Sequence, residues 1–300
     1  MIQVTDLEKR FGKVQALSSL RMNIKKASIY GLVGANGAGK TTVLKHIAGI
    51  LRADSGHVTI EGEDVYENLR VKERSCFIPD DLYFFGSYSL KESARFYSRL
   101  YPVWNPALYT QMAARFELDE NRKLSRFSKG MQKQAAFILS MSAAPDYLIL
   151  DEPIDGLDPL IRKLVWKYIV DGVAERGMTV LVSSHNLREM EGICDSIGML
   201  ANGKMLIERD LDELKSDIHK VQAAFAEDVP AEGRYEGLRV LHKESRGVVD
   251  LLIVRNPKEE VERVIGGKSP LIFDLLPLSL EEIFIYEIGG GNHDIDNILF

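Results

Sequence analysis

The sequence predicts an α/β fold built on a parallel sheet, with an antiparallel β subdomain at its start, a helical insert and a small C-terminal α+β unit. Three observations carry this expectation. The apolar run SIYGLVG leads through a glycine-rich loop into a segment whose apolar residues recur at helical spacing from Lys40 to Leu51. Two further apolar runs, YLILD and TVLVSS, are separated by a helical pattern from about Leu160 to Glu175, the alternation that crossover connections between parallel strands produce. After about Lys215 the texture changes to short alternating runs around one charged helix.

In chain order, IQVTDLEKRF and KVQALSSLRMNI alternate as strands do, and GHVTIEG follows the first helix, which together make the antiparallel subdomain. From Ser89 to about Met141 the pattern is helical throughout, opened by a capping box of Ser89 and Glu92; this is the insert, at about 85–142. IGML and KMLIE flank Asn202-Gly203, a hairpin signal. These readings give a first domain over 1–215 and a second over 216–288, the latter made of VQAAF, LRVLHKE, VVDLLIV and a helix near KEEVERVI. The triple glycine of GGGNHDIDNILF predicts a flexible tail over 289–300.

The composition narrows the classes of function. Three hundred residues, 45% hydrophobic and 27% charged, suit two soluble globular domains. Thirty-eight basic residues against 44 acidic ones leave a net charge of -6, with no excess of cations for a polyphosphate backbone, so no nucleic acid is expected as a partner. The two cysteines, Cys76 and Cys194, have neither disulfide-framework nor zinc-ligand spacing, which fits a reducing cytosol. The N-terminus is charged by position 6 and lacks the apolar core of a signal peptide, and no stretch approaches the roughly 18 apolar residues of a membrane span. A role at a membrane would require another chain to cross it.

The chemistry is concentrated in a few motifs. Gly34-Ala35-Asn36-Gly37-Ala38-Gly39-Lys40-Thr41 fits the phosphate loop GxxxxGK[ST], with Thr42 continuing into the helix. Glycines let successive backbone N–H groups converge on phosphate oxygens, and the helix adds its positive end. Lys40 is placed to neutralise the β and γ phosphates and the Thr41 hydroxyl to ligate Mg²⁺. The YLILD strand ends in Asp151 and Glu152, so both carboxylates emerge where parallel sheets bind ligands. Asp151 suits Mg²⁺ and Glu152 suits a general base for water.

Phe127-Ser128-Lys129-Gly130-Met131 lies upstream of Asp151, Gly156-Leu157-Asp158 follows it, and His185 ends a later strand. This ordered set resembles the signature, D-loop and switch histidine of an ATP-binding cassette (ABC) ATPase, a P-loop NTPase, over about residues 1 to 215. The resemblance implies ATP and Mg²⁺ as ligands, and two cassettes paired head to tail as a homodimer or heterodimer. Ser128, Lys129, Gly130 and Asp158 would then act across that interface, and His185 at the γ-phosphate. Lys129 and Met131 replace residues of the usual LSGGQ, a form similar to bacterial drug- and peptide-efflux ATPases, whose permease is separately encoded. Asp80, in IPDD, stands where the family places a glutamine that touches Mg²⁺ and water; a carboxylate can ligate Mg²⁺ but adds negative charge beside triphosphate. Phe11 stands where the family stacks an aromatic on adenine, and its alternating strand context suits a core position equally. Nine of the chain's 25 aromatics fall between Phe77 and Trp104, where the resemblance puts the docking site for an integral membrane permease; they are expected to divide between the core of the insert and that surface.

The sequence therefore predicts the ATP-hydrolysing nucleotide-binding subunit of a two-component ABC exporter, cytoplasmic and peripheral on the inner face of the cell membrane. The alternatives are a non-transport ABC ATPase and an ATP-dependent regulatory switch with little turnover. The single cassette and the short interval between Lys40 and Ser128 argue against the first, and the pair Asp151 and Glu152 against the second.

Overall fold

Ile29–Val33, Tyr147–Asp151 and Thr179–Ser184 are buried along their whole lengths, as continuous apolar runs must be when a strand is covered on both faces. In the computed structural model, which describes residues 1–226, 230 and 232–289, they form the centre of a six-stranded sheet. Its order is Lys204–Asp210, Ser196–Ala201, Ile29–Val33, Thr179–Ser184, Tyr147–Asp151, Ser75–Ile78. The last five run parallel. The register sets Val33 beside Ser184, Asp151 beside Ser183 and Leu150 beside Ile78. Four strands therefore release their loops at one edge, which is the position that matters for function.

A four-stranded antiparallel sheet, in the order Val14–Ile24, Ile2–Phe11, Ser55–Ile60, Glu63–Asp64, shares a core with this one. Ile2, Leu7, Leu17, Leu20, Leu44 and Tyr147 are among its fully covered side chains. The first helix, Lys40–Ile47, stops short of the expected Leu51 because Gly49 takes φ 67° there and turns the chain. A Cβ on Gly49 would lie 2.5 Å from the Val65 carbonyl oxygen, so only glycine fits. At the sheet edge Asn202 (φ 48°) and Gly203 (φ 73°) make the expected tight hairpin.

The insert is not helical throughout. It consists of Leu90–Leu100, Pro106–Arg115 and Lys129–Ser142, and residues 116–128 turn, with one short 3₁₀ segment at Leu124–Arg126. The break has local causes: Asn105 caps a new helix by accepting from the Leu108 N–H, Pro106 opens it, and Glu117 adopts a left-handed φ of 54° after it. The capping box of Ser89 and Glu92 is formed. Phe85, Tyr88, Phe96, Tyr97, Tyr101 and Trp104 make a continuous series of ring contacts, whereas Tyr83 stands 90% exposed. Cys76 and Cys194 are buried thiols outside any disulfide, each with its pKa pushed up to about 12 by burial and so protonated at neutral pH.

By contact the chain divides into two units, Met1–His185 with Ile193–Glu208, and Asn186–Gly192 with Arg209–Phe300. The contact boundary follows Glu208, a few residues before the expected 215, and the short segment Asn186–Gly192 from within 1–215 groups with the second unit. In that unit Arg188, in the helix Leu187–Met190, donates to Glu281 at 3.0 Å. Its antiparallel sheet has the order Val240–Arg246, Val249–Arg255, Ile218–Ala224, Ile272–Leu276. The helix Lys258–Gly266 buries Val261 and Ile265 in the same core as Val221, Leu252 and Val254. The strand Ile272–Leu276 and the helix Leu280–Gly289 were not legible in the sequence: the strand's core-facing residues, Phe273 and Leu275, stand among apolar neighbours at 271, 272 and 276, so LIFDLLPL fits neither period. Of the expected tail only Gly289 is described; 290–300 lie outside the described residues. Among the described residues no helix is long and apolar enough to cross a membrane.

Candidate functional site

The loop 34–39 leaves the strand Ile29–Val33 and enters the helix Lys40–Ile47 through Gly39, whose φ of 109° is open only to glycine and whose added Cβ would meet the Ala16 carbonyl oxygen at 2.9 Å. No acidic side chain occupies the helix's first turn, so its free N–H groups and positive end face the loop. Ala35, Asn36, Gly37, Thr41 and Thr42 border a cavity of about 480 Å³, with Asp80 and Glu152 also on its wall. The packing behind the loop is as tight. A Cβ on Gly34 would lie 2.3 Å from the Leu200 carbonyl oxygen, a backbone atom that cannot turn away. Gly34→Ala is therefore expected to destabilise the protein by about 1–3 kcal/mol, measured as a lowered melting temperature.

Lys40 is almost fully buried, and its Nζ donates to the Gly34 carbonyl at 2.6 Å and lies 3.4 Å from Glu152 Oε1. Asp151, 2% exposed, accepts from the Thr41 hydroxyl at 2.7 Å through one oxygen and from the Ser183 hydroxyl at 2.5 Å through the other. A buried carboxylate with both oxygens hydrogen-bonded is held in a fixed orientation. Thr41 and Asp151 thus come together as the motifs predict, and they supply two hard oxygen donors. Among the described residues no group of three or more His, Cys, Asp or Glu is gathered for a metal. That donor set fits Mg²⁺, which binds one or two protein oxygens and takes the rest from phosphates and water.

Glu152 turns off its strand with a left-handed φ of 47°, a conformation costing about 1–2 kcal/mol for a residue with a Cβ. Its surroundings fix it. The Glu152 N–H points at Ser183, 3.2 Å from Oγ and 3.3 Å from the carbonyl, and its own carbonyl accepts from Lys133 Nζ at 2.8 Å. The carboxylate meets His185 Nδ1 at 3.0 Å through Oε2 and faces Lys40 through Oε1. His185 is half exposed, so this pair sits at the mouth of the site.

Asp80 is joined to Lys133 Nζ at 2.8 Å, so its negative charge does not stand bare beside the phosphate cavity. Sequence reasoning missed Lys133 and Ser183. For Ser183 a signal existed, two serines ending an otherwise apolar strand; for Lys133, distant from both partners in sequence, none did.

The remaining predicted residues lie apart from this cavity. Ser128 caps the helix Lys129–Ser142 by accepting from the Met131 N–H at 3.3 Å. Asp158 caps Pro159–Arg176 through the N–H groups of Leu160 and Ile161. Lys129 and Gly130 border a second cavity of about 280 Å³ together with Asp155 and Gly156. Phe11 is 48% exposed, which removes the core alternative for it; Val14, Gln15 and Ala16, across the Gly12 turn, border the phosphate cavity instead.

A family model described as ABC transporter matches residues 17–155. The ABC transporter ATP-binding protein YtrB of Bacillus subtilis (strain 168) is 34% identical over 97% of this chain and 99% of its own. The bacitracin transport ATP-binding protein BcrA of Bacillus licheniformis is 30% identical over 97% of this chain and 98% of its own. Among solved structures, an ATP-binding subunit of an ABC transporter superposes with a TM-score of 0.66 at 26% identity, covering 72% of this chain and 92% of that one.

Proposed function

The chain belongs to the ABC transporter family and is one of its ATPase subunits, and from that premise we propose that it powers a separately encoded integral membrane permease that exports its substrate. The observation that carries the reading is the arrangement of Glu152, with its carboxylate on the wall of the phosphate cavity between Lys40 and His185 and directly after Asp151. Backbone N–H groups of residues 35–39 and the Lys40 ammonium hold the β and γ phosphates of ATP. Thr41 and Asp151 would hold Mg²⁺, which when bound neutralises phosphate charge. Glu152 accepts the proton of the attacking water, and His185 keeps the carboxylate oriented and faces the γ-phosphate.

Ser128, Lys129, Gly130 and Asp158 lie away from their own chain's phosphate loop, which supports a role at the ATP of a second cassette, in a homodimer or a heterodimer. The chain then works in the cytoplasm, on the inner face of the cell membrane. Export is supported by the resemblance of the SKGM signature to drug- and peptide-efflux ATPases, and transport as the coupled work by the bacitracin transport relative. The test is Mg²⁺-dependent phosphate release from ATP by the purified chain, followed by copurification from solubilised membranes and identification of the membrane chain. Absence of hydrolysis both alone and with that partner would overturn the enzymatic reading.

Docking is assigned to the segment around Tyr83 and Phe85. Phe84, half-buried between them, is not part of that exposed surface. Large exposed aromatics supply most of the energy of contacts of this kind, at over ~1 kcal/mol each at a hot spot. A Tyr83→Ala/Phe85→Ala variant should keep nucleotide binding and its circular dichroism spectrum yet recover much less of the membrane partner in a pull-down; equal recovery would place the docking surface elsewhere.

A further inference from the structure

Lys133 has a side chain 12% exposed, and its ammonium makes two contacts that belong to different parts of the site. One is to the Asp80 carboxylate at 2.8 Å, and the other is to the Glu152 backbone carbonyl at 2.8 Å. The side chain borders a narrow cleft with Ile78, Pro79, Phe137, Pro153 and Leu157 on one side and the cavity of about 280 Å³ with Asp80 on the other. A covered ammonium is stable only with such partners. The two it has are mechanically distinct. Asp80 lies on the segment that leaves the strand Ser75–Ile78 and reaches the exposed Tyr83 and Phe85. The Glu152 carbonyl belongs to a residue in a left-handed backbone conformation, and turning that peptide requires breaking the Lys133 bond.

We propose that Lys133 is a positioning residue that makes the water-activating set of Glu152 depend on where the Asp80 segment lies, so that displacement of residues 79–85 by a docked partner reaches the catalytic carboxylate through one side chain. The inference rests on the reading of Glu152 as general base. Lys133 also sits one turn into the helix that begins at Lys129, so the helix end that would meet a second cassette's ATP moves with the same tether.

The test compares steady-state ATP hydrolysis and amide hydrogen exchange in wild type, Lys133→Met, Lys133→Arg, Asp80→Asn and the Lys133→Met/Asp80→Asn double variant. Loss of a charge-assisted hydrogen bond predicts that Lys133→Met lowers kcat about tenfold, while KM for ATP stays within about twofold because Lys133 does not border the phosphate cavity. Lys133→Arg should recover most of the rate. The double variant should be no slower than Lys133→Met, since both changes cut one connection. Exchange should rise together at 80–83 and at 152–156. Asp80→Asn, at an exposed position, keeps the fold if Lys133→Met does not, and must by itself raise exchange at 152–156. Additive rate losses, an unchanged kcat, or exchange that rises in only one segment overturns the proposal. Glu152→Gln is measured alongside: persistent hydrolysis there removes the general-base reading, and the exchange experiment still decides whether the tether exists.

Discussion

Replacing Glu152 by glutamine leaves ATP bound but slows its hydrolysis by about 10²-fold or more. The substitution is nearly isosteric, and the bonds that set the backbone of residue 152 come from Ser183 and Lys133 to main-chain atoms, so they are untouched. An amide oxygen still faces Lys40, and the amide N–H can donate to a neutral His185 ring nitrogen. Only the capacity to accept a proton from water is removed. Nucleotide affinity, read by titration with a fluorescent analogue, should therefore hold while phosphate release falls. Because the proposed reading places each ATP between two cassettes, a variant that binds ATP without consuming it should accumulate as an ATP-held dimer on gel filtration. Hydrolysis close to the wild-type rate would sink the assignment of Glu152.

Asp151 gives the second large effect, and two substitutions separate its two roles. Asp151→Ala removes the acceptor for the buried Ser183 hydroxyl, which then costs about 1–3 kcal/mol if left without a partner, and leaves the exposed Thr41 hydroxyl to water. Lower thermal stability and loss of turnover should appear together. Asp151→Asn keeps the volume and one acceptor oxygen, and a serine hydroxyl can reverse its role to accept from the amide. This variant should melt close to the wild type yet lose about 10³-fold in turnover, roughly 4 kcal/mol, with its remaining activity displaced to higher Mg²⁺ concentration. An active Asp151→Asn with ordinary Mg²⁺ dependence would show that the carboxylate serves only to hold Thr41 and Ser183.

What the two variants test was legible in the sequence to different degrees. Asp151 and Glu152 announce themselves as two acids ending a buried strand, and the phosphate loop as a run of glycines before a helix, because the chemistry of each is carried by adjacent residues. The same locality made the capping box at Ser89, the hairpin at Asn202 and the extents of the central strands readable. Where the pattern overreached, a single conformation decided the outcome: Gly49 ended the first helix early, and Asn105, Pro106 and Glu117 divided the insert. The unpatterned strand Ile272–Leu276 and the helix Leu280–Gly289 escaped because neither shows a clear period.

The sequence by itself thus determined the phosphate loop, the acid pair and the alternation that makes the sheet parallel, all of them properties of contiguous residues. Tertiary structure alone decided how these parts are held. Thr41 reaches Asp151 across 110 positions, Ser183 reaches it across 32, and Lys133 joins residues 53 and 19 positions away. Periodicity encodes which face a side chain takes and not which distant atom it meets; those meetings exist only because the strand register brings the loops after Val33, Ile78, Asp151 and Ser184 to one edge of the sheet.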